Sequence, residues 1–280
     1  MIAAGYAEQK ARAGGTWHSL ITGADGTVLV DDDADRVVHG YSVQKLAVAT
    51  AVLDRVPLDT RVTLRAADVL GGSGSYHLQG VWGDSVTIAG VLTAMLLVSD
   101  NTAVRLCGSV LPAAAINEVL AAKGFTHTRV EPVADPHRFL LGTTTARETH
   151  ELLRGLATGT LLPAPACAFL LAVLRGSSGY HDGVRRSMSS AERARVATKH
   201  GADFDARGAA RHEAGIMSGP GPQPGPEPGP GPEPGPGPPG VWPVTYAMFA
   251  DGLGDVHNYG ATHPAVEAHA VIGRALLGCG

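Results

Sequence analysis

The hydrophobic positions of the chain change period several times. Ala3, Ala4, Tyr6, Ala7 and Ala11 recur at helical spacing over residues 1–13, and Gly14-Gly15 closes that helix. Thr16 to Ile21 then reads as a strand, Ala24-Asp25-Gly26 as a turn and Thr27 to Val30 as the return strand. Asp31 to Asp35 is expected to be a solvated acidic loop. From Ser42 the apolar residues Leu46, Ala47, Ala49 and Leu53 again follow a helix. Residues 61–80 begin as a strand and end in the glycine-serine loop Gly71 to Ser75. Thr87 to Val98 is a strongly apolar helix. It stops at Ser99-Asp100-Asn101, after which Thr102 to Val110 resumes helical spacing.

The second half has the same texture. Residues 112–122 predict a helix ended by Gly124, Thr126 to Pro132 a short extended piece, and Asp135 to Gly142 a loop. Thr145-Ala146-Arg147-Glu148 has the spacing of a capping box and opens a helix through Leu156. Pro163 opens another, to Leu174. Ser189 to Val196 leads into Lys199-His200-Gly201 at the end of an edge strand, and Arg211 to Met217 is the next strand. Proline then occupies every even position from Pro220 to Pro238. A segment so poor in donors and apolar side chains builds no core. Residues 219–240 are therefore expected to be a disordered insert at a hairpin tip, where added length costs little. Val241 to Phe249 returns to strand, and His263-Pro264 opens a last helix to Leu277.

This order lacks the regular strand–helix alternation of a parallel sheet. It predicts an α+β protein, an α/β sandwich. An antiparallel sheet is made from both chain ends and covered by the terminal helices, with an all-helical region inserted. The expected division is residues 1–41 plus 185–280 for the sheet domain and 42–184 for the mainly helical one.

Composition narrows the chemistry. Hydrophobic residues are 44% and charged residues 17% of 280, enough for a large core. A formal charge of −4 without a basic run offers no surface for nucleic acid or an anionic membrane. No apolar run approaches the ~18 residues of a membrane span. Residues 1–15 lack a signal-peptide core, so the chain as written is expected in the cytoplasm, or secreted if an export signal has been trimmed. The three cysteines, Cys107, Cys167 and Cys279, do not have the spacing of a disulfide framework or a zinc site. His212-Glu213 is followed by Ala214-Gly215-Ile216 rather than the histidine of a zinc-protease helix, so no metal and no cofactor is expected.

The candidate chemistry begins at Ser42-Val43-Gln44-Lys45. A serine and a lysine at this spacing share one helix face, which places an amine beside a hydroxyl. Taken alone, Ser42 and Lys45 fit an N-cap and a first-turn lysine equally well. Ser99-Asp100-Asn101 alone fits a turn with an N-cap as well as a polar corner facing a cleft.

Read together and in this order, Ser42/Lys45, Ser99-Asp100-Asn101 and Lys199-His200-Gly201 resemble the signature of class A serine β-lactamases and penicillin-binding proteins. The resemblance spans nearly the whole chain, including the Thr16–Val30 hairpin, the Gly142–Gly159 stretch and the final helix. It implies acyl transfer to Ser42, with Lys45 as base, Ser99 returning a proton to the leaving group, and Lys199 holding Ser99 and a substrate anion. It implies an oxyanion hole from the backbone N–H groups of Ser42 and Ala202. Asn101, His200, Gly201 and Tyr76 are the implied substrate contacts, Tyr76 at the rim. Lys45 must then lose its proton near neutral pH, so burial and the nearby Lys199 are expected to depress its pKa.

Two positions depart from the pattern. His200 replaces the threonine whose hydroxyl helps bind a substrate carboxylate. The family's deacylating glutamate falls at Glu131-Pro132, in a short and altered loop. Glu131 is read first as a structural strand-end glutamate, with the general base as the alternative. The implied activity is a β-lactamase-like serine hydrolase or acyltransferase acting on a small-molecule amide, ester or β-lactam. A D-alanyl-D-alanine-type peptidase and a non-catalytic binding module on the same fold are the alternatives. The oligomeric state is not readable.

Overall fold

The computed structural model describes residues 1–178, 182–219 and 243–279. The chain runs α1 (Ile2–Ala13), β1 (Thr16–Thr22), β2 (Val28–Asp32), β3 (Val38–His39), a tight helical turn Tyr41–Gln44, and α2 (Lys45–Arg55). β4 (Arg61–Thr63), β5 (Ser85–Thr87), α3 (Ile88–Leu97), α4 (Asn101–Val110) and α5 (Ala113–Ala122) follow. Next come β6 (Arg129–Pro132), β7 (Phe139–Thr144), α6 (Ala146–Thr158), α7 (Ala164–Gly176) and the short α8 (Ser190–Arg193). The chain closes with β8 (Val196–Asp205), β9 (Gly208–Met217), β10 (Val244–Leu253) and α9 (Pro264–Leu276).

The main sheet has the order β2-β1-β10-β9-β8, so strands from the two chain ends meet at β1 and β10. Its pairs are antiparallel, with Leu20 opposite Ala247 and Lys199 opposite Ala214. This is the α+β architecture expected from the order of elements.

Strand alternation divides the interior in two. Along β10, Tyr246, Met248 and Ala250 pack with Trp17, Ile21, Met217 and Ile272 beneath α1 and α9. Ala247 and Phe249 face the other way, joining Leu20, Val43, Leu46, Leu92, Met95, Ile116 and Leu153 between the sheet and the helices. Each large apolar side chain so buried contributes about 1.5–3 kcal/mol, so both layers hold the sheet in place.

Several local expectations shift. Asp31 and Asp32 continue β2, where Asp32 accepts hydrogen bonds from Tyr6 Oη (2.7 Å) and Lys10 Nζ (2.6 Å) instead of lying in a solvated loop. Phe139–Gly142, expected as the end of a loop, instead begins the strand Phe139–Thr144, which joins β3 and β6 in a small sheet. Thr145 caps α6, but Glu148 does not close the box. Its carboxylate instead accepts from the backbone N–H groups of Thr126 (2.8 Å), His127 (3.0 Å) and Thr128 (2.6 Å). Lys199-His200-Gly201 lies mid-strand, because β8 runs on to Asp205. The proline-rich insert, like Val241-Trp242 at the expected strand start, lies outside the described residues. β9 and β10, which flank it, pair as a hairpin with Met217 opposite Val244.

Candidate active site

Ser42 stands in the tight turn that opens α2. The residue before it, Tyr41, has φ +44, a left-handed conformation rare for an aromatic side chain. It is braced by His212 of β9, whose ring lies 5.5 Å from the Tyr41 ring. His212 Nδ1 accepts the Ala250 backbone N–H (3.1 Å), which leaves the ring proton on Nε2 to donate to the His39 carbonyl (3.1 Å). Burial depresses the His212 pKa, in keeping with this neutral ring.

One turn on, Lys45 is fully buried. Its Nζ lies 3.1 Å from Ser42 Oγ, 3.0 Å from Ser99 Oγ, 2.6 Å from the Ser99 carbonyl and 2.9 Å from Asn101 Oδ1. Burial pulls its pKa down to about 7, against a smaller opposing pull from Asp100. Desolvation is the main cause of that lowering, and the expected contribution of Lys199 is not among its causes; the mutual repulsion of the two amines falls on Lys199.

The corner between α3 and α4 supplies the next groups. Ser99 has φ +57, and Asp100, fully buried, caps α4 by accepting from Ala103 N–H (3.0 Å). Its second oxygen accepts from the backbone N–H groups of Ser75 (2.6 Å) and Tyr76 (2.8 Å), tying the glycine-serine loop to the corner. That approach needs Gly74. It has φ +102, and a Cβ there would lie 2.3 Å from Asp100. Asn101 completes the tie, donating from Nδ2 to the Gly71 carbonyl (3.2 Å).

Alternation along β8 turns Lys199, also fully buried, toward this corner. Its Nζ is 3.1 Å from Ser99 Oγ and 2.8 Å from the His200 carbonyl. Burial and then the neighbouring Lys45 hold its pKa well below the ordinary lysine value, while Glu213 pulls the other way. Glu213 lies in the sheet beneath and accepts from Thr198 Oγ1 (2.9 Å), Gly183 N–H (3.1 Å) and Val184 N–H (3.0 Å). Burial raises its own pKa well above the carboxylate range.

A cleft of about 1710 Å³ opens over these groups, lined by Ser42, Ser99, Asn101, His200 and Ala202 among others. The structure therefore brings together Ser42, Lys45, Ser99, Asn101 and Lys199, with His200 and Ala202 on the same cleft. Gly201 packs directly behind Ser42. Glu131 lines the cleft wall as an exposed residue at the end of β6, opposite Leu140.

Tyr76 is a correction. It is 7% exposed and packs in the hydrophobic core, while the next two residues, His77 and Leu78, line the cleft. The pull of Asp100 on the Tyr76 N–H sets that turn, and a large aromatic ring gains more from burial than from the rim.

Sequence reasoning missed Asp100 as an organiser, His212 as the brace behind Tyr41, and Tyr259, which lines the cleft beside Asp203. The N-cap expected at Ser99-Asp100-Asn101 is Asp100, but nothing local marks its hold on the Ser75 and Tyr76 N–H groups. Nothing local marks His212 or Tyr259. Among the described residues, no group of three His, Cys, Asp or Glu side chains is placed to hold a metal ion.

A family model described as the beta-lactamase enzyme family matches residues 2–224. No curated protein matches the sequence. Solved structures do match it in three dimensions. A beta-lactamase from Sphaerobacter thermophilus superposes with a TM-score of 0.76 at 21% identity, covering 99% of this chain and 95% of its own. A beta-lactamase from Chitinophaga pinensis gives 0.78 at 17% identity, covering 99% and 98%. PBP-A gives 0.70 at 18%, covering 98% and 95%. At these identities the structural likenesses show a shared fold.

Proposed function

The chain belongs to the beta-lactamase enzyme family, and from that premise we propose that it transfers an acyl group from an amide, ester or β-lactam to Ser42. The observation that carries this reading is the buried Lys45 amine, with a pKa of about 7, 3.1 Å from Ser42 Oγ. Neutral Lys45 takes the Ser42 hydroxyl proton as Oγ bonds to the substrate carbonyl carbon. The tetrahedral oxyanion is held by the backbone N–H groups of Ser42 and Ala202. β8 is an edge strand, which leaves part of its backbone without a sheet partner.

Collapse of that intermediate breaks the bond to the leaving group. Ser99 donates its proton to the departing nitrogen or oxygen and is reprotonated by the Lys45 ammonium 3.0 Å away. Lys199, on the other side of Ser99, keeps the hydroxyl oriented and, when protonated, adds positive potential for a substrate anion. Hydrolysis then requires a base for a water attacking the ester; Glu131, exposed on the cleft wall at the end of β6, is the candidate carried from the sequence, and its strand-end position fits the structural role equally.

The test is acylation by a fluorescent penicillin, read by mass spectrometry. A penicilloyl adduct on the peptide containing Ser42, absent in Ser42→Ala, is expected. The absence of any adduct under saturating reagent would remove the mechanism. The lifetime of the adduct then reports how well water is activated.

A further inference from the structure

The two walls of the cleft differ in chemistry. The main-sheet side presents His200 and Asp203 of β8, with Tyr41 and Tyr259. The opposite wall, built by the loop between β4 and β5, by α4 and by the β6–β7 ribbon, presents Leu70, Leu78, Val104, Val133, Phe139 and Leu140.

Leu70 (40% exposed), Leu78 (74%), Val133 (43%) and Leu140 (59%) are four of the ten large hydrophobic residues exposed among the described residues. An apolar surface concentrated on one concave wall marks a binding site rather than random exposure. The guanidinium groups on this wall are tied back to the protein, although Arg138 Nη1 is buried without a hydrogen-bond partner. Arg138 pairs with Asp68 at 3.0 Å, and Arg105 donates to the Val69 carbonyl at 3.4 Å. The His137 ring is 3.0 Å from the Gly108 carbonyl. Ser73, His77 and Glu131 are further polar interruptions. At about 1710 Å³ the cleft also exceeds the ~300–1,000 Å³ that encloses a drug-sized ligand.

We propose that this wall is the binding site for a long aliphatic acyl chain, whose carbonyl is presented to Ser42 at the cleft floor. The occupant follows from continuity. The apolar wall and Ser42 line one cavity, so what lies on the wall is the substituent of the carbonyl that Ser42 attacks. The proposal rests on Ser42 being the nucleophile, and names the substrate class that nucleophile takes.

The test uses the full chain and p-nitrophenyl esters of acetate, butyrate, hexanoate and octanoate, measured below their aggregation limits, with Ser42→Ala as the blank. The expected kcat/KM rises about two- to fourfold per methylene, in line with the transfer of a CH₂ group from water. Leu140→Asp and Leu70→Asp, both at exposed positions, flatten that slope. Val28→Asp, at an exposed apolar residue of β2 outside the cleft, leaves it intact. A flat or falling series with Ser42-dependent turnover of acetate overturns the acyl-chain site and leaves the serine mechanism standing. If no ester shows Ser42-dependent release, both fall together.

Discussion

Gly201 of β8 lies against the backbone of Ser42. A Cβ added at Gly201 would sit 3.0 Å from the Ser42 nitrogen and 3.2 Å from the Gly40 carbonyl oxygen. The edge of the sheet and the turn that carries Ser42 are therefore in contact without an intervening side chain, and Ala202 is the next residue along.

Replacing that hydrogen by a methyl group should push the strand and the turn apart. Gly201→Ala is expected to slow Ser42 acylation at least tenfold and to cost about 1–3 kcal/mol of stability, as overpacking against backbone does. Stopped-flow acylation with urea unfolding checks both. An unchanged acylation rate would show that the contact does not set the site's geometry.

The acylation rate should depend on pH through Lys45. Only the neutral amine accepts a proton, and its pKa is about 7. The rate is therefore expected to rise about tenfold per pH unit below 7 and to level off above it. In Lys45→Arg the side chain never deprotonates in this range, and the rate should fall by ~10²–10⁴-fold. A pH-rate profile from 5 to 9 decides this.

Asp100→Asn separates two roles of one carboxylate. The amide keeps one acceptor, but its NH₂ meets backbone N–H groups either where one oxygen accepted from both Ser75 and Tyr76 or where the other accepted from Ala103. A loss of about 1–3 kcal/mol is expected in denaturant melts. The variant also removes the negative charge that opposes the lowering of the Lys45 pKa, so the midpoint of the pH-rate profile should move to lower pH.

His212→Phe keeps a ring beside Tyr41 and Phe249 but removes the donor to the His39 carbonyl and the acceptor for Ala250 N–H. The strained Tyr41 backbone loses its brace, and acylation should slow with a stability loss of about 1–3 kcal/mol. Acylation measured well below the melting temperature distinguishes this from simple unfolding.

Glu148 gives a stability signal in acid. Burial raises its pKa, but the donors of Thr128 and His127 outweigh that and leave it below the ordinary value. Its contribution is thus present above the unfolded value of ~4.3 and is lost as pH falls through the lower folded value. Glu148→Gln should be less stable than the parent by about 2 kcal/mol at pH 7, with the gap closing in strong acid. Urea midpoints at pH 7 and pH 2.5 measure it.

Periodicity and turn chemistry mark the terminal helices, the hairpin of β1 and β2, the apolar α3 and the cap at Thr145, because each depends on residues close in the chain. β7 was not legible in that way. Phe139-Leu140-Leu141-Gly142 has no alternation, and it becomes a strand only by pairing with β3 and β6, with a register shift on the β6 side. Tyr76 and His77 show the same limit. Adjacent aromatic residues in one short turn offer no local signal for which faces the core, and Asp100, 24 residues away, decides it.

The amino-acid sequence alone determined the order and spacing of Ser42-Val43-Gln44-Lys45, Ser99-Asp100-Asn101 and Lys199-His200-Gly201, and a sheet drawn from both ends of the chain. Both follow from short-range pattern and from the positions of turns. Only the tertiary structure decided that burial pulls the Lys45 pKa down to about 7, that two buried amines share one serine hydroxyl, and that one cleft wall is apolar. Those properties arise from desolvation and from contacts between segments far apart in the chain, and local composition does not encode either.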